Sequence, residues 1–522
     1  MQRTSASTLN PNAIIALVCV AIFVGAMDLT VASAFLPQVV VDFELTTDQF
    51  ALAGWVVTMY LAAYAVSMTF AGRLSDLYGR RAAYLICLAI FIAGSAMVAI
   101  TQRALFAESL GWLVISRVVQ ALGAGAMVPV SMALVGDLYA PGKRATPLGF
   151  IAAIDTAGWV VGHLYGGIMI RAFADWRIIF WVNIPIGILA FILCARALRD
   201  VPQSKATGRL DVIGAMLIGA ALAAFNIGAG GWAESGTASQ FVEATTPLYR
   251  TPLLIASIIL FAAFIVWELR SREPLLDLRL FRKRVFAGAA LTNLLVGFVL
   301  IVALGVVPLF INAVIASNRV GATAEEVLSD GAWYTGWVLS ALTVTMALMA
   351  AFIGRIVERR GYRAPTLIGL AVAAIGFWIT SHWTVTTTYL EMVPGLMVAG
   401  LGFGMVLSPI ATAVINNAGA QARGVASALV IILRLVGMSL GGSIVLAWGT
   451  QRVQQLTAEL SAGSTLFSGN AFEIFRAATA QAVNESFLLF AVTACIVGLL
   501  PALLMKEVSN VSLVEENLEL GR

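Results

Sequence analysis

The chain has 522 residues, 60% hydrophobic and 11% charged, with a mean hydropathy of +0.92. A soluble domain carries roughly 25% charged residues, so this chain cannot cover itself with a wetted surface and its solvent is lipid. The formal net charge of +4 is small and spread among loops, which gives no reason for a nucleic-acid partner.

A helix needs about 20 apolar residues to cross a bilayer. Fourteen such segments follow one another, beginning near positions 13, 50, 82, 111, 146, 177, 211, 251, 285, 331, 365, 391, 425 and 483. The first, from about Ala13 to Leu36, is longer than the apolar core of a signal peptide and is followed by many more, so it reads as a span. No long soluble insertion leaves room for a catalytic domain. With the N-terminus inside, 23 basic residues fall in inner loops and tails, among them Arg80, Arg81, Lys143, Lys205, Arg209, Arg282, Arg359 and Arg423. Only 7 fall outside, including Arg103, Arg171 and Arg177. That bias predicts a multi-pass protein of the cell membrane with both termini cytoplasmic. Cys19, Cys87, Cys194 and Cys495 lie far apart in apolar segments and show neither metal-ligand nor disulfide spacing.

The loop after the second span reads Gly72-Arg-Leu-Ser-Asp76-Leu-Tyr-Gly79-Arg80-Arg81, and the loop after the tenth reads Gly354-Arg-Ile-Val-Glu358-Arg-Arg-Gly361-Tyr-Arg363. Both fit Gly-x-x-x-acid-x-x-Gly followed by basic residues. The glycines permit a tight turn, and the acid can cap a helix start. Transporters are built by such duplication, with the substrate site between the repeats near the midplane. Pairing the second span with the tenth gives an offset of eight, not six. Two extra helices, starting near 211 and 251, must lie between the repeats.

Gly72 to Arg81 resembles the signature loop of the major facilitator superfamily. Asp28-Leu-Thr-Val-Ala-Ser-Ala-Phe-Leu-Pro37 resembles the first-helix motif of its fourteen-helix drug:proton antiporter branch, with Ser33 where asparagine is usual. Arg117-Val-Val-Gln120-Ala-Leu-Gly123 resembles the fourth-helix motif that carries a buried arginine. The run Gly158, Gly162, His163, Gly166, Gly167 resembles the fifth-helix motif of exporters, with His163 in place of proline. Trp55-Val-Val-Thr-Met-Tyr60, Asp175-Trp-Arg-Ile-Ile-Phe-Trp181, Ser381-His-Trp383 and Gly424-Val-Ala-Ser-Ala428 are similar to the lipid exporters of that branch. Those move triacylglyceride-type lipids outward with a lipoprotein carrier. The resemblance implies that their three embedded charges fall on Asp28, Asp155 and Arg434, Asp155 replacing a glutamate.

An embedded charge costs roughly 2.5–3.5 kcal/mol on insertion scales, so it faces the protein interior and pairs. Asp28, Arg117, Asp155 and Arg434 are the four clear cases. Asp28 and Asp155 are expected to face Arg434 across the seam between halves as an ionic latch that protonation of an acid would loosen. Arginine stays charged, so the acids must titrate. The alternative is a permanent buried salt bridge. Arg117, with Gln120 one turn on, either tunes a nearby acid or bonds helix-end carbonyls. Gly158, Gly162 and Gly166 recur every four residues, a spacing for close backbone approach that is expected at the interface between halves. Pro129, Pro308 and Pro409 can kink their spans. Trp55, Tyr60, Tyr64, Phe298 and Trp337 are candidates for a cavity wall, with packing in the core or against lipid as the alternative. His163 reads as a bonded core histidine, with titration near neutral pH as the alternative.

There is no Gly-x-x-x-x-Gly-Lys-Ser/Thr phosphate loop, since Gly142-Lys143-Arg144 lacks both the hydroxyl residue and the leading glycine. Two histidines and no clustered acids give a metal-dependent enzyme nothing to work with. The expected fold is therefore an all-α membrane protein with no cofactor, metal or enzymatic activity. A tail (1–12) precedes a six-helix bundle (13–196), a linker with two extra helices (197–284), a second bundle (285–505) and a tail (506–522). The expected function is proton-coupled export of hydrophobic compounds, of the multidrug type, by alternating access. The alternatives are a lipid exporter working with an outer lipoprotein carrier, and a non-transporting scaffold or sensor. The segment from about Gly449 to Asn484 is expected to extend the last two spans as helices beyond the membrane.

Overall fold

In lipid every backbone polar group needs a partner within the chain, and helices supply one locally. The computed structural model describes residues 10–45, 50–104, 107–201, 211–228, 249–271, 278–315, 324–418, 422–463 and 471–505, and these are helical apart from short connections. The predicted tails beyond them, and the connections that carry Lys205, Arg209, Arg272 and Arg319, lie outside the described residues, as does the His163 side chain. The helices are α1 (Pro11–Thr30), α2 (Ala32–Asp42), α3 (Phe50–Tyr78), α4 (Arg80–Ala99), α5 (Leu110–Leu138), α6 (Ala145–Phe173) and α7 (Ile178–Ala197). Then come α8 (Val212–Gly228), α9 (Arg250–Arg270), α10 (Arg284–Phe310), α11 (Ala324–Arg360), α12 (Arg363–Thr380), α13 (Tyr389–Asn417), α14 (Arg423–Gly463), α15 (Ala471–Ser486) and α16 (Thr493–Leu503).

Each of the fourteen predicted segments falls on a helix or a helix pair. The first span is broken at Val31 into α1 and α2, and the last runs from α15 through a π-helical turn, Phe487–Val492, into α16. Among the described residues, twelve helices can cross a membrane by length and composition, or thirteen if α6, bent by 41°, is one span. The apolar helix α8 has 17 residues, short of the roughly 20 a crossing needs, and ends where the described residues end.

The packing repeats. Helix α5 packs on α3 and α4, α6 on α1, and α7 on α4; α13 packs on α11 and α12, α14 on α10, and α16 on α12. The offset of the sequence repeat carries each pair of the first set onto one of the second. Gly79 (φ 97°) joins α3 to α4 and Gly361 (φ 78°) joins α11 to α12. Both stand in a left-handed region that glycine enters without a Cβ clash, which is why both loops carry it. The two sets meet where α6 packs on α11 and α13, and where α14 packs on α3 and α5. Helices α8 and α9 pair with each other, and α8 rests on α3. The outer face of α9 (Ile255, Ile258, Ile259, Val266) is exposed as a lipid-facing helix requires.

Pro308 lies just before a π-helical turn, Ile311–Ile315. Helix α14 is unbroken to Gly463 and α15 starts at Ala471, as the composition of the 449–484 segment predicts. Val453, Leu456, Ala478 and Ala482 make a small core between these extensions, apart from the main one, with Phe475 against it.

Candidate functional site

The two repeat loops lie at one end of the molecule and each holds the opposite helix set. Gly72 lies so close to Gly424 that a Cβ on it would stand 2.6 Å from the Gly424 carbonyl oxygen. Beside it the Asp76 carboxylate accepts the N–H groups of Gly424 and Val425, both at 3.1 Å. These are unbonded donors at the start of α14, where the helix dipole favours an anion. Arg80 is ion-paired with Asp76, donates to Ser75 Oγ (2.8 Å) and bonds Asp137 (3.0 Å). Arg423 reaches back across the seam to Asp137 (2.8 Å) and the Gly136 carbonyl (2.7 Å). The second loop does the same in reverse. Glu358 accepts from the backbone N–H (3.2 Å) and hydroxyl (3.1 Å) of Thr146 at the start of α6, with Gly354 against Thr146. Arg144 links the Gly136 carbonyl to Asn416 Oδ1, both at 2.9 Å. Arg81 donates to the Ala195 carbonyl at 3.2 Å. Ser427 Oγ and Ser408 Oγ donate across the seam to the carbonyls of Pro129 and Ala145. Between them these bonds close the loop end.

Deeper in, the four embedded charges form two separate pairs, which corrects the expectation of two acids facing one arginine. Asp28, fully buried near the end of α1, accepts from Arg117 Nη1 at 2.6 Å and from Asn183 Nδ2 at 3.2 Å. Arg117 Nη2 donates to the Asp28 backbone carbonyl (3.1 Å), and Nη1 also reaches Gln120 Oε1 (2.7 Å). Gln120 in turn donates to Ser95 Oγ (2.9 Å). The Arg117 guanidinium stands 3.9 Å from the ring centre of Tyr60 and 5.7 Å from those of Phe35 and Phe180. All these groups belong to α1–α7. Asp28 takes Arg117 because α1 packs on α5, which turns both side chains inward. Asp155 on α6 is the acid that meets Arg434 on α14, at 3.0 Å and buried on both sides, with Trp159 beside the guanidinium at 5.4 Å. Gly297 of α10 lets the Arg434 backbone come into contact.

The glycine stripe is also reassigned. Gly158, Gly162 and Gly166 face α1 and α2, against Ala26, Thr30 and Ala34, within their own helix set, and Gly167 has open space around it. The helix does lie at the seam, but its other face is there, where Gly149 meets the Ala350 carbonyl and Ser408. The stripe lets Thr30 Oγ1 bond the Trp159 carbonyl just before the α1–α2 break. Of the aromatic candidates, Tyr60 and Tyr64 are buried, Trp55 leans on Tyr249 just before α9, Phe298 sits against Phe490, and Trp337 is exposed. Asn183, Asp137, Arg144, Asn416 and Arg423 were not singled out by sequence as site residues. An amide within an apolar run signals Asn183, but the others acquire a role only once the helices cross.

At the opposite end, Arg177 joins Asp42 (2.9 Å), Asp175 (3.2 Å) and the Thr101 carbonyl (2.7 Å), and Arg103 pairs with Asp175. Partial burial would raise the Asp175 carboxyl, but hydrogen bonds from Arg177 and the nearby charge of Arg103 outweigh it and hold the group below its ordinary value.

The profile of the Major Facilitator Superfamily matches residues 18–442. A probable triacylglyceride transporter of Mycobacterium leprae is 31% identical over 502 residues, covering 93% of this chain and 94% of that one. A triacylglyceride transporter of Mycolicibacterium smegmatis is 30% identical over 515 residues (95% and 88%), and one of Mycobacterium tuberculosis 32% over 453 (85% and 83%). Among solved structures, the human organic anion transporter MFSD10 superposes with a TM-score of 0.59 at 15% identity, covering 95% of this chain and 100% of that one. The proton:xylose symporter XylE superposes at 0.55 and 15%, covering 91% and 94%. At that identity the structural likeness bears on the fold.

Proposed function

The chain belongs to the Major Facilitator Superfamily, and from that premise we propose that this multi-pass membrane transporter exports triacylglyceride-type lipids, driven by protons. The observation that carries the cargo is the similarity, over most of the chain, to transporters named for triacylglycerides; it favours lipid over the drug-efflux reading of the motifs. In this reading residues 13–196 and 285–505 are the two moving halves, 197–284 is the linker, and the loop end with both termini faces the cytoplasm. The capped loops hold the cytoplasmic side shut. Proton uptake by Asp155 releases Arg434, the loop-end contacts part, and the site between the halves opens inward. Asp28 with Arg117 is a second proton site inside the first half. An extracytoplasmic lipoprotein carrier would receive the lipid beyond the extensions of α14 and α15.

The test is transport by purified protein in proteoliposomes under an imposed pH gradient, with a fluorescent triacylglyceride and a cationic dye as parallel cargoes. Gradient-dependent movement of the glyceride but not the dye supports the lipid reading, and the reverse returns the drug reading. Movement of neither leaves the scaffold reading. Asp28→Asn and Asp155→Asn should each abolish the gradient dependence while the protein still inserts.

A further inference from the structure

The Asp28–Arg117 pair raises a question of charge balance that its two members do not answer. If Asp28 takes a proton, the buried guanidinium of Arg117 loses its counterion at a depth where an unpaired cation is costly. The structure surrounds Arg117 on every side. Gln120 Oε1 and the Asp28 backbone carbonyl accept from it, and the ring faces of Tyr60, Phe35 and Phe180 enclose it, Tyr60 closest at 3.9 Å from centroid to Cζ. Tyr60 is wholly buried, and its hydroxyl makes no hydrogen bond among the described residues. Its place is therefore not explained by its polar end. The ring face is the part in use.

We propose that Tyr60 is a positioning residue for proton uptake, its ring face holding Arg117 as a lone cation whenever Asp28 is neutral. The proposal rests on the reading of Asp28 as a proton site. While Asp28 is ionised, the attraction of the ring to Arg117 is opposed by its repulsion of the nearby carboxylate. Once Asp28 is neutral, only the attraction remains. The ring thus favours the protonated state. Its bulk also excludes water, which would solvate the carboxylate. Both effects have the same sign, so replacing the ring by a smaller aliphatic group lowers the pH at which Asp28 takes its proton. The other groups that face the pair are Asn183 and Gln120, which do not titrate, and Tyr165 of α6 lies near enough to feel the charge of Asp28. Tyr64 stacks on Tyr60 at 6.1 Å.

The experiment follows the carboxylic C=O stretch of Asp28 by infrared difference spectroscopy of the full chain in liposomes, titrated with pH, with Asp28→Asn identifying the band. Tyr60→Leu should shift the midpoint down by on the order of one pH unit, because the ring's repulsion of the carboxylate is lost and water is admitted to it. Tyr60→Phe, which keeps the face and drops the hydroxyl, should restore it. An unshifted midpoint in Tyr60→Leu, or a Tyr60→Phe midpoint that moves as far, overturns the proposal. If Asp28→Asn removes no titrating band, the proton site itself is wrong and the proposal falls with it. Should Tyr60→Leu fail to fold, Phe35→Leu and Phe180→Leu test the same cage from the farther faces. Downward shifts smaller than one unit support the proposal, and their absence overturns it.

Discussion

Asp155→Asn tests the link between the mid-membrane charge and the closed loop end. In the structure Arg434 Nη2 stands 3.0 Å from Asp155 Oδ2, and both side chains are more than nine-tenths buried. At an effective dielectric constant of about 20, a pair at that distance attracts by roughly 5–6 kcal/mol. Desolvation takes back much of this, but removing one partner strands the other, and measured losses for such removals are about 3–5 kcal/mol. That loss falls on the conformation in which the halves are clamped, because there Arg434 has no water to turn to. At 1.4 kcal/mol per tenfold, the clamped state loses between about 100-fold and a few thousand-fold against the state with the loop end open. Spin labels at Gly142→Cys and Arg360→Cys, both exposed at the loop end but in different halves, read this directly. The four native cysteines are buried, so background labelling is low. Asp155→Asn should replace a short label distance by a longer one. Adding Arg434→Met, which removes the stranded charge, should bring back much of the short distance. An unchanged distribution in Asp155→Asn would refute the reasoning, since the pair would then not be what the two conformations differ by.

The same label pair checks the glycine contact at the loop end. A side chain in Gly424→Val would meet the Gly72 carbonyl, with Ser75 Oγ at 2.7 Å and Arg80 Nη1 at 3.0 Å, so it should open the loop end at a cost of about 1–3 kcal/mol to the clamped state. At the end opposite the repeat loops, Asp175 is held below its ordinary value, so its contribution to stability is complete above the unfolded-state pKa. It is lost only as pH falls through the lower folded-state value. Thermal unfolding of Asp175→Asn should therefore lack part of the wild-type loss of stability at acid pH, and identical acid profiles would count against the cluster. Deleting 455–480 takes Leu456, Phe475 and Ala478 out of the small second core but leaves the bidentate Arg452–Glu485 pair (2.7 and 3.0 Å) near its base. Delivery of a glyceride to an outer lipoprotein should fall severalfold in vesicle transfer assays while uptake into the bilayer-embedded site persists. Equal delivery would make the segment a connector.

What the sequence makes legible is what a helix in lipid decides locally. Runs of about 20 apolar residues mark the spans, and glycines at 79 and 361 mark the turns because no other residue takes those φ values cheaply. An acid four residues after the first glycine of each repeat, both near the ends of α3 and α11, marks a cap. Which helix it caps is not local, and Asp76 and Glu358 turn out to cap helices of the opposite half. The four embedded charges were legible for the same reason, since any ionised group at that depth stands out. Their partners were not, because partner choice depends on which faces meet. Helix α6 presents its glycine stripe to α1 and the opposite face, with Gly149, to the seam, and the spacing alone fits either arrangement. The corrected pairing has a consequence for the proposed mechanism. Asp28 and Arg117 sit in one half, so rocking of the halves does not stretch their bond, and they can hold or release a proton in either conformation. Asp155 and Arg434 sit in different halves, and any motion that opens the seam must part them. One pair is suited to carrying the proton and the other to making its arrival move the protein.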